Sequence, residues 1–311
     1  MSSEGINSRS RTARPKILLT GKNGQVGGDL YPLLIDLGEV LATDRASLDL
    51  TRPEKIRECV RAFGPDVIIN AAAYNAVDKA ESESELAHSI NATAPGLLAE
   101  EAVRCGALLM HYLTDYVFNG TKADPYIESD PTNPLNVYGR TKAAGERAVM
   151  NSGCIHLILR TSWVYSPRGS NFLLTILRLA EEREELRIVN DQIGAPTSSE
   201  WIAQATAHVV RQVLNSDKSE AARITGTYHM TASGEVSWFG FGREIVSQSD
   251  RAIRPKSIIP ISTTEYPRPA RRPLNSRLNC SKIADTFGVK LPPWQTGLLS
   301  VLQVIVRQAS A

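Results

Sequence analysis

Tyr138 and Lys142 are the residues whose types and spacing point most directly to chemistry. They lie four positions apart, so on a helix their side chains lie on one face. A phenol has a pKa of about 10, and a nearby ammonium group lowers it, which makes the phenol a better proton donor at neutral pH. The pair therefore predicts proton transfer. The same spacing also occurs on exposed helix surfaces that have no chemical role.

A further candidate, Thr114, is followed by Asp115 and comes just after an apolar run of strand length at 107–112. In an open parallel sheet, ligands bind beyond the carboxyl ends of the strands. We therefore expect the Thr114 hydroxyl where a substrate carbonyl group would lie. The alternative is a threonine that only satisfies the hydrogen bonds of a turn.

Three glycines, Gly21, Gly24 and Gly27, follow the first apolar run at a spacing of three residues. Glycine allows a tight turn and lets a pyrophosphate approach the N-terminus of the next helix, where N–H groups and the helix dipole favour anions. The lysine after Gly21 does not make this a P-loop, because that motif needs Gly at position 16 and Ser or Thr at position 23, where this chain has Lys and Asn. The glycines instead predict a dinucleotide site.

Asp44 lies at the end of the next predicted strand, 23 residues after Gly21. A carboxylate at this place can accept hydrogen bonds from both ribose hydroxyls of an adenosine. The neighbouring Arg45 could stack on the adenine or meet a 2′-phosphate. An exposed arginine without a ligand is the other interpretation.

Apolar runs of strand length alternate with segments of helical periodicity in the first half of the chain, which predicts a doubly wound parallel sheet of the Rossmann type. The predicted strands are 16–20, 40–43, 67–70, 107–112, 155–161 and 186–189. The predicted helices are 25–37, 53–63, 81–105, 136–150 and 172–183.

The second half predicts a smaller α/β substrate lobe that closes over the first. A helix over 198–214, a strand over 227–230 and a helix from Ser237 are followed by proline-rich segments around 259–276, which predict ordered loops. We expect a disordered leader over 1–15, an NAD(P)-binding domain over 16–190 and the lobe over 191–311, with a soft boundary and partial interleaving.

Charge and composition exclude several classes of protein. The 311 residues carry 35 Lys and Arg against 33 Asp and Glu, too balanced for a nucleic-acid or membrane surface. No run of apolar residues is long enough to span a bilayer. The Arg- and Ser-rich leader lacks the apolar stretch of a secretory signal, and a transit peptide is the weaker alternative to a leader without a targeting role. Four widely spaced cysteines without metal-ligand spacing favour a reducing, cytoplasmic location.

The motifs in this order resemble those of the extended short-chain dehydrogenase/reductase family. Within it, they are most similar to the reductases that act on the 4-keto group of a dTDP-6-deoxy sugar. The resemblance covers nearly the whole chain after the leader. The segments that carry it are GKNGQVGG, NAAAYNAVDKAE, TDYVFNGT, PLNVYGRTKAAGE, RTSWVYSPRGSNF, DQIGAPTS and PARRPLNSRL.

The resemblance implies a role for each matching residue. Tyr138 would be the proton donor, Lys142 would hold the nicotinamide ribose, and Thr114 would bind the substrate carbonyl. The residues implied to contact NADPH, with NADH as an alternative, are Gly21, Gly24, Gln25, Val26, Gly27, Asp44, Arg45, Asp49, Leu50, Ala72, Ala73, Tyr74, Tyr138 and Lys142. Those implied to contact a dTDP-sugar are Thr114, Asp115, Tyr138 and Trp163. Asn91 would support a water relay from the lysine or, equally, kink a helix in the core.

The resemblance leaves a metal and a homodimer open. Some members of this family are described as magnesium-linked dimers, and Glu200 matches a carboxylate used there. The C-terminal segment 298–311 has no acidic residue to complete such a site. We therefore expect no required Mg²⁺.

The implied reaction is hydride transfer to the 4-keto carbon of dTDP-4-dehydro-6-deoxy-L-mannose, giving dTDP-L-rhamnose. A reductase or epimerase for a sibling nucleotide-sugar remains an alternative. A 4,6-dehydratase is disfavoured, because relatives place an acid where this chain has Tyr116. A non-catalytic protein similar to the regulatory subunit of methionine adenosyltransferase is the alternative from another class.

Overall fold

The computed structural model describes residues 14–249 and 255–309, so most of the predicted leader lies outside the described residues. The strands are β1 Lys16–Thr20, β2 Glu39–Thr43, β3 Val67–Asn70, β4 Leu108–Thr114, β5 His156–Thr161, β6 Val164–Tyr165, β7 Glu185–Val189, β8 Ile193–Gly194, β9 Thr197–Ser198, β10 Gly226–His229, β11 Val236–Ser237 and β12 Ser257–Ile261. The helices are α1 Gln25–Ile35, α2 Pro53–Phe63, α3 Ser84–His88, α4 Ala94–Cys105, α5 Val137–Asn151, α6 Phe172–Glu182, α7 Ser199–Asn215, α8 Lys218–Arg223, α9 Trp238–Ser247, α10 Ser281–Phe287 and α11 Trp294–Ala309.

Six parallel strands form the central sheet, in the order β2-β1-β3-β4-β5-β10. The chain reverses direction across the sheet between β1 and β3, and such a switch point leaves a crevice at the carboxyl ends of the strands. The register places Thr20 beside Asn70 and Thr114 beside Thr161 at that edge. The predicted Rossmann-type sheet is confirmed.

Both faces of the sheet are covered, which explains why its strands are apolar throughout rather than alternating. Ile17 and Ile69 belong to a core shared with α1 and α7. Leu18 and Ile68 point the other way, into a core shared with α2 and α4. Because helices cover both faces, the carboxyl edge of the sheet is where the candidate site residues remain open to a ligand.

The helix predicted over 81–105 is present but begins later, at Ser84, after a 3₁₀ turn at Lys79–Glu81. It is not a single α-helix, because a π-helical segment at Ser89–Thr93 separates α3 from α4. The Asn91 carbonyl in the π-helical segment lies so close to Gly145 of α5 that any Cβ there would overlap it. The π-helical segment is therefore packed closely against α5. The periodicity of apolar residues does not predict such a local change from an α-helix to a π-helix.

The predicted strand 186–189 exists as β7, but it does not join the central sheet. It pairs with β12, which lies partly in a segment predicted as a proline-rich loop. Pro260 is accommodated because β12 is an edge strand with one neighbour. The sixth strand of the central sheet is β10, from the second half of the chain.

The second half of the chain therefore divides between the two parts of the molecule. The helix α7 packs against α1 and completes the Rossmann core. A separate core, which includes Leu173, Phe241 and Leu298, joins α6, α9 and α11 into the lobe. The two parts of the molecule therefore interleave in sequence. The domain boundary at 190/191 stays a proposal. Among the described residues, the helices are too short or too polar to cross a membrane.

Candidate active site

The glycine turn after β1 has the geometry of a cradle. Gly21 adopts φ +76°, and a Cβ there would lie 2.8 Å from the Ala72 amide nitrogen. A Cβ on Gly27 would overlap the Gly21 carbonyl oxygen. Gly24 precedes the first residue of α1 and has no side chain with which to cap it. The N–H groups of the first turn are thus available to a pyrophosphate, at the positive end of the helix dipole.

Two predicted contacts at the start of α1 have partners of their own. The Gln25 side-chain oxygen accepts from Ser166 Oγ at 3.0 Å and from Asn171 Nδ2 at 2.9 Å, which joins the helix to the loop before α6. Val26 is half-buried against the core shared with β1. These two side chains therefore pack within the protein at the start of α1, and their predicted contacts with a dinucleotide stay a prediction.

Asp44 lies directly after β2, as predicted for an adenosine ligand. One carboxylate oxygen accepts from the Ser47 amide at 3.0 Å, and the other accepts from Asn23 Nδ2 at 3.1 Å. These hydrogen bonds, led by that from the Ser47 backbone, lower the pKa of Asp44 to about 2. Lys22 Nζ lies 3.6 Å from the same carboxylate. Asp44 is therefore a fixed anion with a cation beside it, a combination not expected from the sequence.

The other predicted adenosine contacts, Arg45, Asp49 and Leu50, differ in how accessible they are to a ligand. Arg45 is exposed beside Asp44. The Asp49 carboxylate accepts from the Thr51 amide at 2.9 Å and from its hydroxyl at 2.8 Å, so it is used in the turn before α2. Leu50 is buried in the core of that face.

The segment after β3 is held in place by Asn91. The Asn91 side-chain oxygen accepts from the Tyr74 amide at 2.9 Å, and its amide group donates to the Tyr74 carbonyl at 3.1 Å and to Thr141 at 3.2 Å. The buried Asn91 amide therefore fixes the path of Ala72, Ala73 and Tyr74 along the sheet edge. This favours the structural interpretation of Asn91 over a part in a water relay.

Thr114 and Tyr138 meet at the carboxyl end of β4. The side chain of Asn136 caps α5 by accepting from the Gly139 amide at 2.7 Å, and this places Tyr138 in the first turn. The Tyr138 ring is buried and packs edge-on against Tyr116, with ring centroids 5.6 Å apart. Burial raises the pKa of the Tyr138 phenol, while its hydrogen bond with Thr114 acts in the opposite direction. The structure thus brings together Thr114 and Tyr138, two site residues that were predicted separately.

Lys142 lies one turn further along α5 and is buried. Its ammonium group donates to the Tyr112 carbonyl at 2.7 Å. Burial lowers the pKa of Lys142 to about 7. The phenol of Tyr138 responds mainly to burial, to Thr114 and to Asp115 rather than to Lys142, so the predicted lowering of the phenol pKa by the ammonium is not seen.

Asp115 is a buried carboxylic acid beside this pair. One oxygen accepts from Thr114 Oγ1 at 3.1 Å, and the other has no hydrogen-bond partner among the described residues. Burial raises the pKa of Asp115 to about 6, although the nearby Ser276 and Thr114 hydroxyls oppose the shift. A buried polar atom without a partner is rare and marks a place where a ligand can supply one.

Trp163, the remaining predicted substrate contact, has an unusual backbone. Its φ of +49° is in the left-handed region, which residues other than glycine seldom adopt. The indole ring stacks on Trp238 of the lobe with centroids 3.5 Å apart, and it covers Gly194 so closely that a Cβ there would lie 2.6 Å from the ring. This strained position follows β5 at the same sheet edge as Thr114.

A basic strap, residues 268–278, crosses this edge; the sequence predicted an ordered loop here but not its position over the site. Arg272 donates to both oxygens of Asp78 at 3.0 and 2.9 Å, and Arg268 pairs with the same carboxylate. The Arg271 carbonyl accepts from Asn136, the cap of the helix that carries Tyr138. The density of Arg and Pro in this segment was the available signal, but only the fold shows that it lies over the site.

Glu200 lies in the first turn of α7, and its carboxylate accepts a hydrogen bond from the Gln204 side chain at 3.2 Å. Within residues 14–249 and 255–309, no three His, Cys, Asp or Glu side chains are grouped as metal ligands. The expectation that no metal is required stays a prediction.

Comparison with known proteins gives concordant matches. A family model described as the RmlD substrate binding domain matches residues 15–307. The dTDP-4-dehydrorhamnose reductase of Escherichia coli (strain K12) is 47% identical over 293 residues, which are 92% of this chain and 96% of that protein. The dTDP-4-dehydrorhamnose reductase of Burkholderia thailandensis is 49% identical over 286 residues, covering 90% and 95%. The crystal structure of dTDP-4-dehydrorhamnose reductase from Bacillus anthracis in complex with NADP has a TM-score of 0.84 and 33% identity, covering 94% of this chain and 99% of that one.

Proposed function

The chain belongs to the dTDP-4-dehydrorhamnose reductase family, and we propose that its site reduces the 4-keto group of dTDP-4-dehydro-6-deoxy-L-mannose to give dTDP-L-rhamnose. The observation that carries the proposal is the contact between the Thr114 and Tyr138 hydroxyls at the carboxyl end of β4, with Lys142 one helical turn away. Relatives of 47% and 49% identity that carry this enzyme name support it.

NADPH is the cofactor that fits best, since a relative of 33% identity was crystallised with NADP. Gly21 and Gly27 let the turn after β1 pack closely on neighbouring backbone, where a Cβ would clash, and the N–H groups at the start of α1 that follow can bind a pyrophosphate. Lys22 and Arg45 can offset the charge of a 2′-phosphate close to Asp44. When bound, the reduced nicotinamide supplies the hydride.

The chain's own residues handle the proton. We assign Thr114 to hold the substrate carbonyl by a hydrogen bond and Tyr138 to donate its phenolic proton to the oxygen as negative charge develops there. Lys142 is assigned to the ribose of the cofactor. Its ammonium group would give up the hydrogen bond to the Tyr112 carbonyl and donate to a ribose hydroxyl instead. Burial of all three side chains excludes water and strengthens each of these interactions.

The basic strap suits a nucleoside diphosphate. Arg268 and Arg272 already share the Asp78 carboxylate, and Arg271 is exposed beside them. This leaves positive charge at the mouth of the site, where the diphosphate of a dTDP-sugar would bring negative charge. Trp163 and Asp115 are assigned to the sugar, in line with the resemblance.

We also propose that the protein is cytoplasmic and forms a homodimer, as the resemblance allows. All four cysteines are free thiols, in keeping with a reducing compartment. Light scattering measures the homodimer directly.

Three variants test the assigned roles by steady-state kinetics and cofactor titration. Tyr138→Phe keeps the ring but removes the proton, so kcat should fall by about 10²–10⁴-fold while cofactor affinity changes little. Thr114→Val should lower kcat and leave the cofactor bound, whereas Lys142→Met should lower kcat and weaken the cofactor. Near-full turnover by Tyr138→Phe would contradict the assignment of Tyr138 as the proton donor. No turnover by the native protein would instead favour a non-catalytic binding protein.

A further inference from the structure

Three charged side chains form a buried group beneath the Tyr138 phenol. Lys142, Glu146 and Arg160 are only 2%, 3% and 4% exposed. Lys142 and Glu146 lie four residues apart on α5, so they share a face of that helix. Arg160, on the neighbouring strand β5, donates from Nη2 to Glu146 Oε1 at 2.6 Å. Arg160 is therefore paired with Glu146 in the interior, and a second buried cation, Lys142, lies on the same helix face as that carboxylate.

A buried cation is costly unless an anion or several hydrogen bonds stabilise it. The ammonium group of Lys142 has a neutral hydrogen-bond partner, the Tyr112 carbonyl. The ionisable groups that act on Lys142 are Glu146 on its own helix and His111 on β4. Burial keeps the pKa of His111 well below its ordinary value, so that imidazole is neutral at physiological pH. Glu146 is thus the negative charge that acts on Lys142.

Glu146 is held firmly, yet half of its carboxylate is unused. Thr227 Oγ1 donates to Oε1 at 3.2 Å, the same oxygen that Arg160 binds. Arg160 is itself fixed by His229 Nε2 at 3.3 Å from Nη1 and by the Phe118 ring, 5.0 Å from the guanidinium carbon. The second oxygen, Oε2, is buried without a hydrogen-bond partner among the described residues. A purely structural ion pair would be expected to use both oxygens.

We propose that Glu146 is a positioning residue that keeps Lys142 charged, and that Arg160 holds Glu146 in place for this purpose. The inference rests on the proposed function in that it assigns Lys142 to the cofactor ribose, a contact that a charged ammonium makes best. The effect of Glu146 on the pKa of Lys142 does not depend on turnover and can be measured on the protein without substrate or cofactor.

The test is the titration of Lys142 by NMR in protein labelled with ¹³C at the lysine Cε, with Lys142→Met identifying the resonance. In the native protein the lysine charge is lost as pH rises through about 7. Glu146→Gln keeps the shape but removes the negative charge, so the midpoint should move down by about one pH unit. Thr227→Val removes a hydrogen bond to the same carboxylate but no charge, and should leave the midpoint in place. Glu146→Asp should restore part of the shift.

Glu146→Gln leaves Arg160 buried without its partner, which can unfold the protein. The double variant Glu146→Gln/Arg160→Met removes both charges together, and we expect a smaller downward shift of the Lys142 midpoint in it, because the loss of the Arg160 cation opposes the loss of the Glu146 anion. An unchanged midpoint in the folded variants would overturn the inference even if the native protein is an active reductase. A native protein without reductase activity whose Lys142 midpoint nonetheless moves as described would instead refute the proposed function alone.

Discussion

Asp115→Asn should change how the stability of the protein depends on pH. The Asp115 carboxyl is 2% exposed, and one of its oxygens has no hydrogen-bond partner among the described residues. Burial raises its pKa from 3.8 to about 6, so the folded protein favours the protonated acid. Stability from this group is complete below pH 3.8 and is lost as pH rises through about 6. An asparagine carries no charge over this range and avoids the loss.

The size of the effect follows from the shift in pKa. Each unit corresponds to about 1.4 kcal/mol, so ionising Asp115 in the folded protein costs on the order of 3 kcal/mol at neutral pH. The amide that the substitution introduces would itself lack a partner, which costs about 1–3 kcal/mol at every pH. The absolute stabilities of the two proteins are therefore a poor comparison, whereas the change between two pH values isolates the carboxyl.

Urea unfolding of both proteins at about pH 4.5 and about pH 7.5 measures this change. From the lower to the higher pH, native protein should lose about 2 kcal/mol of unfolding free energy relative to Asp115→Asn, because part of the full loss has already occurred at about pH 4.5. Contributions from other ionisable groups cancel in the difference. Parallel pH profiles for the two proteins would refute the argument, because they would mean that Asp115 ionises in the folded protein as easily as in water.

Two further predictions concern the cofactor and the metal. Arg45→Ala should weaken NADPH more than NADH in a fluorescence titration, because the exposed guanidinium beside Asp44 offsets the charge of a 2′-phosphate; equal losses for the two cofactors would argue against that role. Turnover should survive treatment with EDTA, since segment 298–311 offers no carboxylate to join Glu200. Loss of activity that magnesium alone restores would show that a metal is needed.

Local sequence signals predicted the parts of the site that depend on one turn or one helix. The glycines after β1 provide a positive φ at Gly21 and close backbone approach at Gly21 and Gly27, which glycine alone satisfies. Tyr138 and Lys142 lie on one helix, where a spacing of four residues fixes their relation. These predictions needed no knowledge of how distant segments pack.

Features that depend on distant segments were not predicted. Arg272 and Asp78 are 194 residues apart, and no local pattern connects them. The pairing of β12 with β7 overrides the tendency of Pro260 to end a strand. The depth of burial around Asp115 decides its pKa, and burial is a property of the whole fold. Sequence reasoning therefore identified the chemical groups but not the environment that sets their charge.

Product identification tests the central claim most directly. The purified chain is incubated with dTDP-4-dehydro-6-deoxy-L-mannose and NADPH, the oxidation of NADPH is followed by absorbance, and the sugar is identified by NMR. We expect one equivalent of NADPH to be consumed for each dTDP-L-rhamnose formed. No oxidation of NADPH, or a product with the opposite configuration at C4, would contradict the proposed function.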